Sequence, residues 1–455
     1  MKNIKYLNLL VFGLPLFCFT SCKKYLDAKP NISLEIPNTV ADLQAILNYG
    51  VHGSTTAQIG SDDYYTPYPQ WQSINGTFNQ DNYYWNLPNL QSSNGDWEIL
   101  YSDIFNQNVV LDNISTVSLG NQSADTRDQV KAQALFNRAF LFFEVEKIFG
   151  QPYKPATANT DLGICLRTTS SVTAPSSRAT VQQSYNQIIS DLRTGVAVLS
   201  QSVPAQNLAT KQAAYDLLAR VYLSMEDYKN ALTAANSALA IQNKLLDFNT
   251  LNPSTTYPMP TPRTNNEIVF YTNPVGAGSL TSSHALVDTL LYASYSDNDL
   301  RKTIYFKHSA LGGYTFNGGY EKNQEAYTFS GLATDELYLI KAECEARAGN
   351  VNNAAMNDLN ALLVTRWKAG TFVPYTAASA TDALNQILLE RRKELIWRGI
   401  RWDDLRRLNQ DPNYAVTLKR NLNGIVYSLP PDDPHYAFLL PPDVIQLGGV
   451  PQNPR

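Results

Sequence analysis

A chain of 455 residues with 44% hydrophobic and 17% charged residues has room for two or three domains, and it is too apolar to be a disordered chain. Its 36 basic and 40 acidic residues leave a net charge of −4 with no basic block, which argues against nucleic acid as a partner because phosphate neutralisation needs clustered Lys and Arg. Tyr alone supplies 27 residues and Asn and Gln are plentiful throughout, so the polar surface is largely uncharged.

The N-terminus reads as an export signal. Met1 to Lys5 is a small cationic segment, Leu7 to Phe19 an apolar run too short for a membrane span, and Thr20-Ser21-Cys22 follows. Ser21 before Cys22 looks like a bacterial lipobox, in which Cys22 is acylated and becomes the first mature residue. Removing residues 1–21 deletes Lys2 and Lys5, leaving 34 basic against 40 acidic residues and a charge of −6. Lipid on Cys22 predicts a protein anchored to a membrane by acyl chains. Cys165 and Cys344 remain; a bridge between them is chemically allowed in an oxidising compartment, but two buried thiols are expected. No Cys or His spacing suits a metal, and neither a metal nor a cofactor is expected.

Beyond a polar tether, Asn38 to Asn48 carries a cap and apolar residues at helical spacing. Ser61 to Trp97 then has no helical or strand period; its rings alternate with Asn, Asp, Gln, Gly, Pro and Ser, which predicts a loop. Rings displayed beside amides and carboxylates suit a polar ligand with apolar faces, such as a sugar. The plainer reading is that the rings plug a loop-rich subdomain onto a helical core. From Asp96 the helical period returns through Ile114, which assigns Trp97 and Tyr101 to a helix. Asp128–Phe149 is apolar nearly all round, predicting a buried helix stopped by Gly150 and Pro152, and Thr180–Leu199 is a further helix.

Tyr215, Leu218, Ala219 and Tyr222 followed by Ala231, Ala235 and Ala238 match a tetratricopeptide helix pair. An ungapped shift of 123 residues lays Tyr338, Ala342, Ala354 and Ala361 on Tyr215, Ala219, Ala231 and Ala238. Between the pairs, Asp247–Leu332 is rich in Pro, Gly and Tyr, with Glu267–Thr272 its one expected strand. Its Tyr292, Tyr295, Tyr305, Tyr314, Phe316 and Tyr320 could furnish a second wall of a ligand site. Thr381–Leu408 predicts a helix ended by Gly399, on which Glu390, Arg391, Arg392 and Glu394 set up i,i+3 and i,i+4 pairs, then a next turn begun by Arg401, Asp403, Asp404, Arg406 and Arg407; such a charge-rich helix end reads as a packed ion-pair network. The last 40 or so residues read as too Pro-rich for helix and are expected to wrap the surface. The expected fold class is thus mainly α, a tetratricopeptide-like scaffold with long loop-rich insertions. Two regions are expected within one compact unit, 22–246 and 247–455, after the signal at 1–21.

These features together resemble the SusD/RagB family of outer-membrane lipoproteins from Bacteroidetes. The resemblance rests on Cys22-Lys-Lys-Tyr-Leu-Asp27 with Pro30, WEILYSDIFNQNVVLDNI at 97–114, Arg138-Ala-Phe140 leading to Phe149-Gly-Gln-Pro152, the two helix pairs, ERRKELIWRGIRWDDLRRL at 390–408, and the terminal LLPPDVIQLGGVPQNP. It implies a lid-like surface protein over a SusC-like TonB-dependent outer-membrane transporter, capturing oligosaccharides or, in some relatives, peptides. Lys23-Lys24 departs from the acidic residues that relatives often place after the anchor.

No catalytic pattern such as G-x-S-x-G, H-E-x-x-H or a P-loop occurs, and the four His residues stand isolated, so a binder is expected and not an enzyme. The expected ligand is a glycan, held by Tyr64, Tyr65, Trp71, Tyr83, Tyr84 and Trp85 with Asp62, Asp63, Asn75, Asn79 and Asn82 as hydrogen-bonding partners. Tyr292, Tyr295, Tyr314 and Tyr320 are the expected opposing wall. The alternative is a peptide-binding or mainly transporter-interacting lid protein.

Overall fold

The computed structural model describes residues 37–85, 95–274, 276, 278–320 and 329–455. The signal segment and Cys22 lie outside the described residues.

The fold is mainly helical, and each long helix packs on the next along the chain. Gly95–Asn113 lies on Ala124–Phe149, which packs on Val181–Val198, then come Lys211–Ser224 and Tyr228–Ile241. That last helix packs on Thr334–Arg347, which is covered by Met356–Leu363 and Ala380–Glu394. Local signals set the helix starts: Thr39 and Thr180 each form a capping box, with Asp42 and Gln183. From Ala132 onward the helix Ala124–Phe149 is buried on every side, as its all-round apolar sequence requires. Close helix approach comes from small residues, since Ala231, Ala235 and Ala238 are fully buried where Tyr228–Ile241 meets its neighbours.

The second repeat departs from the ungapped match. Tyr338 and Ala342 pack as the shift predicts, but Ala354 is half-buried and Ala361 exposed, while Ala355 and Leu362 are buried. The cause is a π-helical turn over Val351–Ala355, which takes up one extra residue and rotates the following face by one position.

Three other expectations are corrected. The stretch expected as a loop contains a short strand, Tyr64–Tyr65, and two short helices, Tyr68–Ser73 and Thr77–Tyr83. The helix before Gly399 ends earlier, at Glu394, and the chain turns at Trp397, whose φ is +61° and whose ring lies flat on Phe316. The Pro-rich terminus holds a helix, Pro442–Gly448, because a proline at the first helical position lacks only an N–H that would be unpaired anyway.

The strands pair two by two, all antiparallel. The expected strand is Ile268–Phe270, paired with Leu332–Ala333. Tyr64 and Tyr65 stand opposite Val287 and Leu286, so the aromatic stretch is stitched to the insertion. Rings from both segments, including Tyr64, Tyr83, Tyr295, Tyr305 and Tyr320, share a hydrophobic cluster with Trp397. Beneath it lies a buried ion-pair network: Arg301 meets Asp299, Glu390 and Glu394, and Arg366 joins Glu267 to Glu394. The charges on Ala380–Glu394 therefore do form ion pairs, in the interior. Cys165 and Cys344 are buried free thiols. No helix among the described residues is long and apolar enough to cross a membrane.

Candidate functional site

Residues expected to face a ligand divide into interior and accessible sets. Tyr64, Tyr83, Trp85, Tyr295, Tyr320, Asp63 and Asn82 are buried, so they do not form a displayed surface. The polar atoms of these rings are used inside: Tyr64 donates to the carbonyl of Ile59, Trp85 to Gly60 and Tyr295 to Lys393, while the Tyr83 hydroxyl accepts from the amide of Thr66. The Tyr320 hydroxyl lies 2.8 Å from Glu267 and 3.0 Å from Asp335. Burial pushes the Asp63 carboxyl up to about 6 against the pull of Arg392. Asp62 feels the same burial, but Arg401 at 2.7 Å and Arg392 at 3.3 Å hold it below the usual carboxylate range. Both carboxylates therefore belong to the scaffold's charge network.

The accessible set forms two groups. Tyr68 stacks on Trp71 at 5.7 Å between ring centres, Trp71 meets Tyr84 edge-on at 5.9 Å, and Tyr84 reaches Tyr427 of the terminal hairpin at 4.5 Å. All four are half-buried, and the Trp71 indole is fixed by donation to the carbonyl of Gln80. Asn75 and Asn79 lie at the edge of this group, and the Asn79 amide donates to the Asn75 carbonyl. In the second group Tyr292 stacks on Tyr314 at 3.7 Å. Tyr65 runs beside it, since a Cβ on Gly313 would come within 3.4 Å of the Tyr65 hydroxyl.

The structure also holds a cleft of mixed polarity that the sequence did not reveal, about 770 Å³ in volume. It lies where three segments are laced together. The Asn207 amide donates to the Asn48 carbonyl, Gln206 accepts from the Tyr271 amide, and the Thr272 hydroxyl donates to the Val51 carbonyl. On its walls stand Tyr49, 92% exposed, Arg263, Tyr271 and His52. Asp103 receives both the backbone amide and Nδ1 of His52, at 3.0 and 2.9 Å, which orients the ring and leaves Nε2 as its second polar atom. The Asp103 hydrogen bond raises the His52 pKa above its ordinary value, although burial opposes it. No local signal could have found this pair, because 51 residues separate its members.

A smaller cleft of about 420 Å³, between Trp97, Tyr101 and Phe105 on one side and Leu447 on the other, is more apolar. Of the polar side chains on its wall, Asn108 is engaged with Arg138 and the Arg167 carbonyl, and Arg167 with the carbonyls of Ala174 and Ser171, so both are already committed within the protein. Among the described residues no group of three or more His, Cys, Asp and Glu is placed to hold a metal ion.

Comparison with known proteins places the fold. None of the curated proteins compared matches the chain. Among solved structures, a SusD superfamily protein from Bacteroides thetaiotaomicron is similar with a TM-score of 0.73 at 20% identity, covering 92% of this chain and 100% of its own. A SusD superfamily protein from Bacteroides vulgatus gives 0.72 at 22% identity over 92% of this chain and 99% of its own. A SusD-like carbohydrate binding protein from the same species gives 0.68 at 18% identity over 90% and 97%. In sequence, residues 24–223 match the family SusD-like_3, described as starch-binding associating with outer membrane, and residues 262–438 match the SusD family, SusD_RagB. The two matches together span most of the chain, which belongs to the SusD/RagB family.

Proposed function

We propose that this protein is a lipid-anchored binder that captures a glycan at the outer membrane and passes it to a SusC-like TonB-dependent transporter. The cleft around His52 carries the reading. A volume of about 770 Å³ accommodates a short oligosaccharide, the exposed Tyr49 ring offers a stacking face, Arg263 offers donors to ring and hydroxyl oxygens, and Nε2 of His52 accepts from a hydroxyl. The group Tyr68, Trp71 and Tyr84, with Asn75 and Asn79 beside it, provides a second contact zone for a longer chain, and Tyr65, Tyr292 and Tyr314 extend it. A solved protein of the same fold is described as carbohydrate binding, which supports the ligand class. Binding needs no cofactor and no catalytic step. Anchoring through Cys22, with the protein facing the cell exterior, belongs to the same reading; Cys22→Ala is expected to release the protein from the membrane fraction.

A second reading, a lid protein that mainly contacts its transporter or takes a peptide, draws on the terminal hairpin. Ile425 and Val426 are 60% and 56% exposed beside Tyr427, an apolar tip suited to a protein partner. A glycan array set beside a peptide library, both on the isolated protein, separates the two. Glycan binding that weakens in Tyr49→Ala supports the first reading, and peptide binding without glycan binding supports the second.

A further inference from the structure

The His52 cleft carries a charge opposite in sign to the net charge of the chain. The chain carries a net −4, yet among the described residues no Asp or Glu lines the cleft, and the charged side chain on its wall is Arg263. Arg263 is exposed, and among the described residues no carboxylate lies within 4.0 Å of it, unlike the interior arginines, which are committed to Glu and Asp. Asp103 lies behind His52, where it is spent on the imidazole and the backbone amide and turns the other ring nitrogen away from itself.

Resting on the glycan reading above, we propose that this cleft selects an acidic saccharide, one whose sugar carries a carboxylate as a uronate does. The guanidinium of Arg263 is a planar fork that matches a carboxylate with two parallel hydrogen bonds, a geometry that a sugar hydroxyl cannot return. His52, whose Nδ1–H is given to Asp103, accepts a ligand hydroxyl at Nε2 as the neutral ring, and Tyr49 covers the apolar face of the sugar ring. The attraction is local. At physiological ionic strength charges are screened over about 8 Å, so the acidic remainder of the surface neither adds to nor cancels a contact inside the cleft. A net negative charge does disfavour non-specific adhesion of a polyanion over the rest of the surface.

The test uses oligosaccharides of galacturonate, glucuronate and mannuronate, each as the free acid and as its methyl ester, titrated calorimetrically into the mature protein. At least one free acid is expected to bind ten-fold or more tightly than its own ester. Arg263→Met should remove that ten-fold advantage by weakening the acid far more than the ester, with the melting temperature unchanged because the side chain is exposed. His52→Gln should weaken acid and ester alike. Equal binding of acid and ester, or equal loss of both in Arg263→Met, overturns the proposal. Binding of neutral glycans alone overturns it while leaving the glycan reading standing, and binding of peptides with no glycan of either kind overturns both.

Discussion

The guanidinium of Arg420 stands 4.4 Å from the centre of the Tyr83 ring and donates to the Tyr83 carbonyl at 3.2 Å. It also donates to the carbonyls of Tyr64 and Ser61 and lies over the rings of Tyr64 and Trp85. One side chain from the terminal hairpin thus fixes the whole aromatic stretch, whose irregular backbone would otherwise bury unpaired carbonyls. Arg420→Ala is expected to cost about 3 kcal/mol or more, since each orphaned buried carbonyl costs about 1–3 kcal/mol. Arg420→Lys should recover little, because an ammonium cannot fork to three carbonyls while stacking. Urea unfolding measures this, and a loss below about 1 kcal/mol in Arg420→Ala would contradict the assignment.

Trp85 and Trp71 should respond in opposite ways. Trp85 is 4% exposed and its indole is spent on the Gly60 carbonyl, so Trp85→Ala is expected to destabilise by about 3–5 kcal/mol. Trp71 is half-buried between Tyr68 and Tyr84, and its truncation should lower glycan affinity with a smaller effect on melting temperature. Calorimetry and thermal melting on the same two variants decide the matter. Unchanged affinity with a lower melting temperature in Trp71→Ala would make that ring structural as well.

The contrast between these rings marks how far the sequence could be read. Helices were legible because their signals are local: Thr180 with Gln183 three residues on, or Ala231, Ala235 and Ala238 on one face. Membership of an ion-pair network was legible for Glu390 and Glu394, but not their partners Arg301, at the start of the short helix Arg301–Ile304, and Arg366, 28 residues before Glu394. Which rings of the aromatic stretch are buried was not legible. Whether Tyr64 or Tyr65 faces inward depends on pairing with Leu286 and Val287, more than 200 residues later, and adjacent strand residues face opposite ways. The His52 cleft is harder still, since its walls come from four separate segments.

Arg366 offers a test of the interior network. It is fully buried, donates to Glu394 at 2.7 Å and Glu267 at 2.6 Å, and lies 4.3 Å above the Phe248 ring. Arg366→Met leaves Glu267 without its cation and Glu394 with Arg301 alone in the buried network, for which about 3–5 kcal/mol is expected. Adding Glu267→Gln to that variant should restore part of the loss, because it removes one stranded charge. A double mutant no more stable than Arg366→Met alone would show that Glu267 and Arg366 are not coupled.

Glu146 predicts the pH dependence. Its carboxyl is buried in the helix Ala124–Phe149, and burial pushes its pKa up to about 8, against the pull of Arg406 and Arg178. The unfolded chain releases this proton near the ordinary Glu value of about 4.3. The folded state therefore holds a proton that the unfolded state has lost, and linkage makes the unfolding free energy fall as pH rises between those two values. Above about 8 both states are ionised at this position and the loss is complete. Glu146→Gln keeps the shape without the titration. It should match the parent near pH 4, exceed it at pH 9, and show a flatter profile between. Urea midpoints of both proteins at pH 5, 7 and 9 give the difference directly, and two parallel profiles would mean that Glu146 stays ionised in the folded protein.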